Sequence, residues 1–390
     1  MTIKPAHRIN TVEEYYFSSK LREIAGMRAG GADVLNLGIG SPDLPPHPSV
    51  IATLHEWALR PDAHGYQGYQ GRPELRLAMA NWYRLYFGVS LDPEKEVLPL
   101  LGSKEGIMHI SMAFINPGDR VLVPDPGYPT YSAATKLAGG IPETYDLLPE
   151  NNWKPDMRAL ENIAPGEIKL MWLNYPHMPT GQAADLKTME TLLNWARSRN
   201  ILLVNDNPYS FILNRNYLSI LSLDGAREQS IELNSMSKAQ NMAGWRVGMA
   251  ISNPEFINHI IRFKSNMDSG MFLPVQMAAV KALELGQDWY DQLNEIYTGR
   301  KDLAAAILKA AGCTLQDNQQ GLFLWGRIPD KYEDSYALSD RILRQAHVFI
   351  TPGGIFGNNG NQYLRISLCS KPEVLQQGLD RIQKLKLQAS

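Results

Sequence analysis

Short apolar runs alternate along this chain with longer stretches of helical periodicity, and polar turns separate them. Residues 168–174 (IKLMWLN) and 201–204 are apolar almost throughout, the pattern of parallel strands covered on both faces. Residues 98–101, 120–123, 231–235 and 245–251 read as further strands, and 34–40 as a short one. Helical spacing marks 10–30, 73–87, 184–199, 254–264 and 275–285, and an apolar helix follows Gly102 up to Phe114. Pro73 stands at the start of its helix, where a missing N–H costs nothing. From about Asp288 the pattern changes to a long charged helix at 290–311, strands at 321–327 and 348–351, and a terminal helix at 372–387.

These elements predict an α/β protein of two parts. The first is a three-layer large domain over residues 48–287 with a mostly parallel sheet. The second is a small α/β domain built from both termini, 1–47 and 288–390. A length of 390 residues suits such a division.

Composition narrows the class of partner. The net charge of −2 leaves no electrostatic footprint for nucleic acid or for an anionic membrane. No apolar run approaches the ~20 residues of a membrane span, and the amino terminus lacks the apolar core of a signal peptide. Cys313 and Cys369 are too few for a disulfide framework. The expectation is a cytoplasmic protein acting on small molecules, with no nucleic acid, membrane or metal involved.

The richest chemistry lies at 231–248, IELNSMSKAQNMAGWRVG. Lys238 follows Ser235 and Ser237 at the end of a strand, and Arg246 comes eight residues later. Hydroxyls and a guanidinium suit a phosphate, which favours forked, charge-assisted donors. A lysine beside them is placed to form a Schiff base with an aldehyde. Taken alone, Lys238 reads first as a solvated surface lysine, as most lysines are, and its neighbours are what turn the reading.

The phrases S-x-S-K and G-W-R-x-G together resemble the signature of the class I and II aminotransferases, the fold-type I pyridoxal phosphate enzymes. Further motifs of that family follow in the same order over nearly the whole chain, with the flavour of its alanine-type and LL-diaminopimelate-type branch. The resemblance implies pyridoxal 5'-phosphate as cofactor, bound through Lys238. It implies that Asp206, in D-x-x-Y, faces the ring nitrogen, that Tyr209 meets the phenolic oxygen, and that Tyr128, in PDPGYPTY, lies flat on the ring. Ser103 and Lys104, in GSKEG, become phosphate or cofactor contacts, although Ser103 also reads as a helix N-cap. Tyr66, five residues before Gly71, is expected to reach the phosphate of a neighbouring subunit, so the active sites would be shared in a homodimer.

Substrate contacts carry over in the same way. Gly40, in the GIGSPDLPP loop, is expected to approach the substrate carboxylate, and Arg365, in R-I-S after P-G-x-x-F-G, to clamp it. Tyr16 is a candidate lid residue, with core packing as its plain alternative. A dinucleotide site at the G-x-G of this loop is rejected because no helix is expected to start among its prolines.

One position departs from the family. The usual N-P-T-G reads M-P-T-G, so Met178 replaces an asparagine that donates to the cofactor's phenolic oxygen, and methionine cannot donate. Either another group such as Asn174 takes over, or the tuning is relaxed, or the activity has drifted. The implied reaction moves an amino group between an L-amino acid and a 2-oxo acid, Lys238 serving as general base and acid. A lyase of the same fold, catalysing β-elimination, is the alternative. A nucleotide-dependent dehydrogenase lacks its glycine fingerprint, and a DNA-binding effector sensor lacks its extension.

Overall fold

The computed structural model describes residues 3–385. Its centre is a seven-stranded sheet in the order Val97–Leu100, Gly248–Ile251, Ser230–Ser235, Leu202–Asp206, Ile168–Leu173, Arg120–Asp125 and Ile141–Asp146. Only Gly248–Ile251 runs antiparallel to its neighbours. The other strands share one direction, so Leu100, Asp125, Leu173, Asp206 and Ser235 all end at one edge of the sheet. Ligands bind at such an edge in open α/β sheets.

Strand alternation builds the two flanking layers. Val121, Val123, Leu170, Trp172, Val204 and Leu233 face one side and pack with Ile107 and Ile110 of the helix Ser103–Phe114 and Ile257 and Ile260 of the helix Pro254–Lys264. Leu122, Met171, Leu173 and Leu203 face the other, against Leu192 and Leu193 of Leu186–Arg199 and Met79 and Tyr83 of Pro73–Phe87. Both faces are apolar because both are covered, as the runs at 168–174 and 201–204 foretell.

A second, four-stranded antiparallel sheet takes the order Thr351–Pro352, Tyr363–Ser367, Phe323–Arg327 and Thr314–Leu315. Beside it, Leu35–Asn36 pairs parallel with Val348–Phe349. The long helix Gln287–Ala310 packs on the last helix, Pro372–Lys384.

Several expectations change here. The strand expected at 348–351 is two strands, Val348–Phe349 and Thr351–Pro352, belonging to different sheets and divided at Ile350. The strand expected at 245–251 begins only at Gly248. Before it lies a 3-10 turn, Ala243–Trp245, and Arg246 has a left-handed φ of 60° that no strand residue adopts. The helix expected at 10–30 spans Tyr16–Ala29. A helix does follow the proline-rich loop: Pro48–Ala58 opens with Pro48 in its first position, and the His47 side chain accepts from Ser49 N at 3.2 Å. It starts too far beyond Gly40 to serve a dinucleotide. The terminal helix ends at Lys384, and the remainder of the expected 372–387 stretch, at 386–387, lies outside the described residues.

Candidate active site

A cavity of about 470 Å³ opens at the carboxyl edge of the large sheet, and both sheets contribute to its walls. Of the residues singled out in the sequence, it gathers Gly40, Ser103, Lys104, Tyr128, Asn174, Met178, Asp206, Tyr209, Ser235, Ser237, Lys238, Arg246 and Arg365. Tyr16 and Tyr66 are not among its lining residues. Tyr16 packs edge-on against Phe17 and Tyr336, the plain alternative weighed for it. Its neighbours Tyr15 and Phe17 line the cavity in its place, because the helix starts at Tyr16 and turns that ring away. Tyr66 stands 94% exposed on the surface of the single chain.

Lys238 follows the turn after Ser230–Ser235, and its Nζ donates to the carbonyl oxygen of Gly40 at 2.8 Å. A side chain on Gly40 would run into the ring of Phe323, so only glycine lets this carbonyl come close. Burial holds the Lys238 amine below its usual range, and Arg365 and Arg246 add to the effect while Cys369 and Asp206 oppose it.

Asp206 is the last residue of Leu202–Asp206 and is buried. Burial pushes its carboxyl up to about 6, against the Tyr131 and Ser103 hydroxyls and Lys238, which favour the ionised form. Its Oδ2 accepts from the Tyr131 hydroxyl at 2.9 Å, whereas Oδ1 has no hydrogen bond of good geometry. Asn174 spends both ends of its amide on the protein, donating to the Asp206 backbone carbonyl at 2.6 Å and accepting from Met178 N at 2.9 Å.

An anion cup lies beside them. The helix Ser103–Phe114 starts at Gly102 with no side chain capping its first turn, so free N–H groups point outward. Arg246 lies across this start, its Nη1 donating to Ala243 O at 2.8 Å and its Nη2 to Leu101 O at 3.1 Å. A side chain at Gly102, whose φ is 91°, would collide with that guanidinium. Ser103 Oγ is buried near the Asp206 carboxyl without a hydrogen bond of good geometry, and Ser235 Oγ accepts from Ser237 N at 3.2 Å. Lys104 points its Nζ at the Tyr15 ring, 4.9 Å away, and burial beside Arg246 lowers its affinity for a proton.

Arg365 stands opposite on Tyr363–Ser367. Its guanidinium lies 3.9 Å over the ring of Phe323 and 4.6 Å from that of Phe356, with Nη2 donating to Gly38 O at 2.8 Å and Nη1 resting 3.3 Å from the Met178 sulfur. Burial holds it down to about 10, still charged at neutral pH. Tyr209, buried beside Phe323, and Tyr128, edge-on to Tyr131 at 5.6 Å, close the walls.

The sequence reading overlooked Tyr15, Phe17, Tyr131, Phe323 and Phe356. Tyr131 and Phe356 stand inside the quoted phrases PDPGYPTY and PGGIFG, so the signal was present; Tyr15 and Phe323 have no local mark. Elsewhere Glu105, His109 and Asp268 bring their ligand atoms within 4.8 Å of one another, the spacing of a metal site. Lys264 already forms an ion pair with Asp268, which provides the positive charge such a group calls for.

A buried carboxylate with one free oxygen, an uncapped helix start under a guanidinium, and a lysine with a depressed proton affinity match pyridoxal phosphate at ring nitrogen, phosphate and aldehyde. Comparison with known proteins identifies the family. The family model for aminotransferases of class I and II matches residues 32–382. LL-diaminopimelate aminotransferase of Dehalococcoides mccartyi is 39% identical, covering 99% of this chain and 100% of its own. That of Aquifex aeolicus is 37% identical over 97% and 98%. Apo-BacF of Bacillus subtilis superposes with a TM-score of 0.94 at 37% identity over 99% of both chains. A single mutant of Thermus thermophilus aspartate aminotransferase gives a TM-score of 0.91 at 25% identity over 98% of this chain and 100% of its own. The chain belongs to the class I and II aminotransferases, of fold type I, and is a transaminase that moves an amino group between an amino acid and a 2-oxo acid.

Proposed function

We propose that Lys238 binds pyridoxal 5'-phosphate covalently and that the residues around it divide the work of transamination. The observation that carries this reading is the free Oδ1 of Asp206, buried in the same cavity as Lys238. Bound there, the cofactor supplies an aldehyde that accepts the amino group and a ring that withdraws electrons from Cα. Asp206 Oδ1 would hold the proton on the ring nitrogen, and Tyr209 would reach the phenolic oxygen. Ser103, Ser235, Ser237, Arg246 and the helix start would take the phosphate, with Lys104 at its margin.

Arg365 receives the substrate carboxylate in its fork, and the phenylalanines on its faces exclude water, which strengthens the pair. Lys238 Nζ, whose hold on a proton burial weakens, would take the Cα proton. It gives one back to Cα of the new amino acid in the opposite half-reaction, and the Gly40 carbonyl fixes its direction meanwhile.

The proposal includes a homodimer in which Tyr66 enters the partner's site, a large lobe at 48–287 and a small one from 1–47 and 288–390, and work in the cytoplasm. Among the described residues, no helix is long and apolar enough to cross a membrane. LL-diaminopimelate, named in the bacterial relatives, heads the panel of amino acids to be tried against pyruvate and 2-oxoglutarate. Borohydride trapping followed by mass spectrometry should mark Lys238; a label elsewhere, or none, refutes the reading. Pyruvate and ammonia released without an acceptor would instead indicate a lyase.

A further inference from the structure

Tyr131 is buried, with 1% of its surface exposed, in the first turn of the helix Thr130–Leu137. Nothing in the division of labour above uses it. Its ring stacks on Trp172, with centroids 5.0 Å apart and planes at 9°, and meets Tyr128 edge-on at 88°. These contacts fix the ring, and the fixed ring aims one hydroxyl at one oxygen, Asp206 Oδ2, at 2.9 Å.

We propose that Tyr131 is a positioning residue for the reaction: its hydroxyl ties down Asp206 Oδ2, so that Oδ1 is presented to the cofactor's ring nitrogen and the carboxylate stays ionised. The inference rests on the cofactor reading given above. Two physical arguments carry it. A carboxylate with one oxygen tethered has lost most of its freedom about its last torsion, so the free oxygen points one way only. A donor on a buried carboxylate also favours the charged form, which burial would otherwise suppress. Packing alone would place an aromatic here without requiring the hydroxyl, and phenylalanine would then serve as well.

Tyr131→Phe keeps the stack on Trp172 and removes only the donor. Lys238 and Glu232, the other charges that bear on Asp206, are untouched by it. In the holoenzyme, the acid limb of the kcat/KM profile should move up by about one pH unit, and pyridoxal 5'-phosphate should be lost on dialysis about tenfold faster. The same change in an Asp206→Asn background should leave the rate of cofactor loss nearly where that background sets it, because the charged acceptor is already gone. Thermal melting of each cofactor-free variant shows whether it folds. Trp172→Phe, which retains the hydroxyl, provides a second variant with smaller shifts in the same direction.

An unmoved acid limb together with unchanged cofactor retention in Tyr131→Phe would overturn the inference. So would equal losses in both backgrounds, the mark of packing alone. If the native protein fails to hold the cofactor on Lys238, the function proposed above fails first; if it holds the cofactor and Tyr131→Phe matches it, only this inference falls.

Discussion

The guanidinium of Arg365 rests on the sulfur of Met178, with Nη1 3.3 Å from Sδ. A thioether is a weak acceptor. The Nε of the same arginine has no partner, so this buried cation is poorly satisfied by the protein and is open to a substrate carboxylate. With the cofactor bound as proposed, the departure from N-P-T-G would affect two partners at once, taking a donor from the cofactor's side and a strong acceptor from the arginine's. Asn174, which lines the same cavity, donates one N–H to the Asp206 carbonyl and keeps its second as a donor that can stand in.

Arg365→Lys removes the fork and the stacking on Phe323 while keeping the charge. A hydrogen bond to a charged group contributes ~1.5–3 kcal/mol, so kcat/KM for the amino acid should fall roughly 10- to 150-fold, mainly through KM. Steady-state kinetics check this.

Met178→Asn restores a donor beside the cofactor. A donor to the phenolic oxygen favours its ionised form, so the midpoint of the bound cofactor's absorbance change with pH should move to lower pH. A spectral titration with no shift, or an upward one, would show that Met178 lies away from that oxygen.

Lys238→Ala should lower turnover by at least about 10²–10⁴-fold, the usual worth of a positioned proton carrier, and abolish borohydride trapping. The acid side of cofactor binding belongs to Asp206. Its carboxyl is raised to about 6, so its ionised form is present above that pH and lost below it. The affinity advantage of the native protein over Asp206→Asn should shrink as pH falls through that value, as equilibrium binding would reveal.

Tyr66→Phe should leave the melting temperature unchanged, since the residue is exposed in the single chain, yet weaken cofactor binding about tenfold if it reaches across. Mixing this variant with Lys238→Ala should produce hybrid dimers with one site free of both changes. Recovered activity in the mixture reports a shared site, and none reports separate ones.

Asp43, on the surface, and the buried Arg300 form a fork, 2.6 and 3.0 Å, that ties the loop after Gly40 to the long helix. Asp43→Ala takes the carboxylate from Arg300 and leaves it the Leu368 carbonyl, at a cost of about 1–3 kcal/mol measurable by denaturant unfolding.

Much of this architecture was legible because it is local. Helices at 73–87 and 254–264 begin at prolines and end where expected, and Asp206 and Ser235 sit on strand ends that apolar runs announce. What escaped depends on distance or on weak pattern. The edge strand Ile141–Asp146 is partly exposed and has no apolar run. The helix Ser335–Ala346 does carry a stripe, Leu338, Ile342, Leu343 and Ala346 behind the cap Asp334, and could have been found. Whether Tyr15 or Tyr16 faces the cavity depends on where a helix starts, a matter of one residue that propensity does not resolve. The pairing of Tyr131 with Asp206 spans 75 residues and has no sequence mark.

The amino-terminal stretch pairs with Val348–Phe349, and Thr351 Oγ1 closes on the Gly38 carbonyl across 313 residues. During synthesis the ribosome therefore releases Tyr15, Phe17 and Gly40 long before their docking strand exists. A message truncated before the codon for Val348 would therefore yield a product in which Leu35–Asn36 has no strand to pair with.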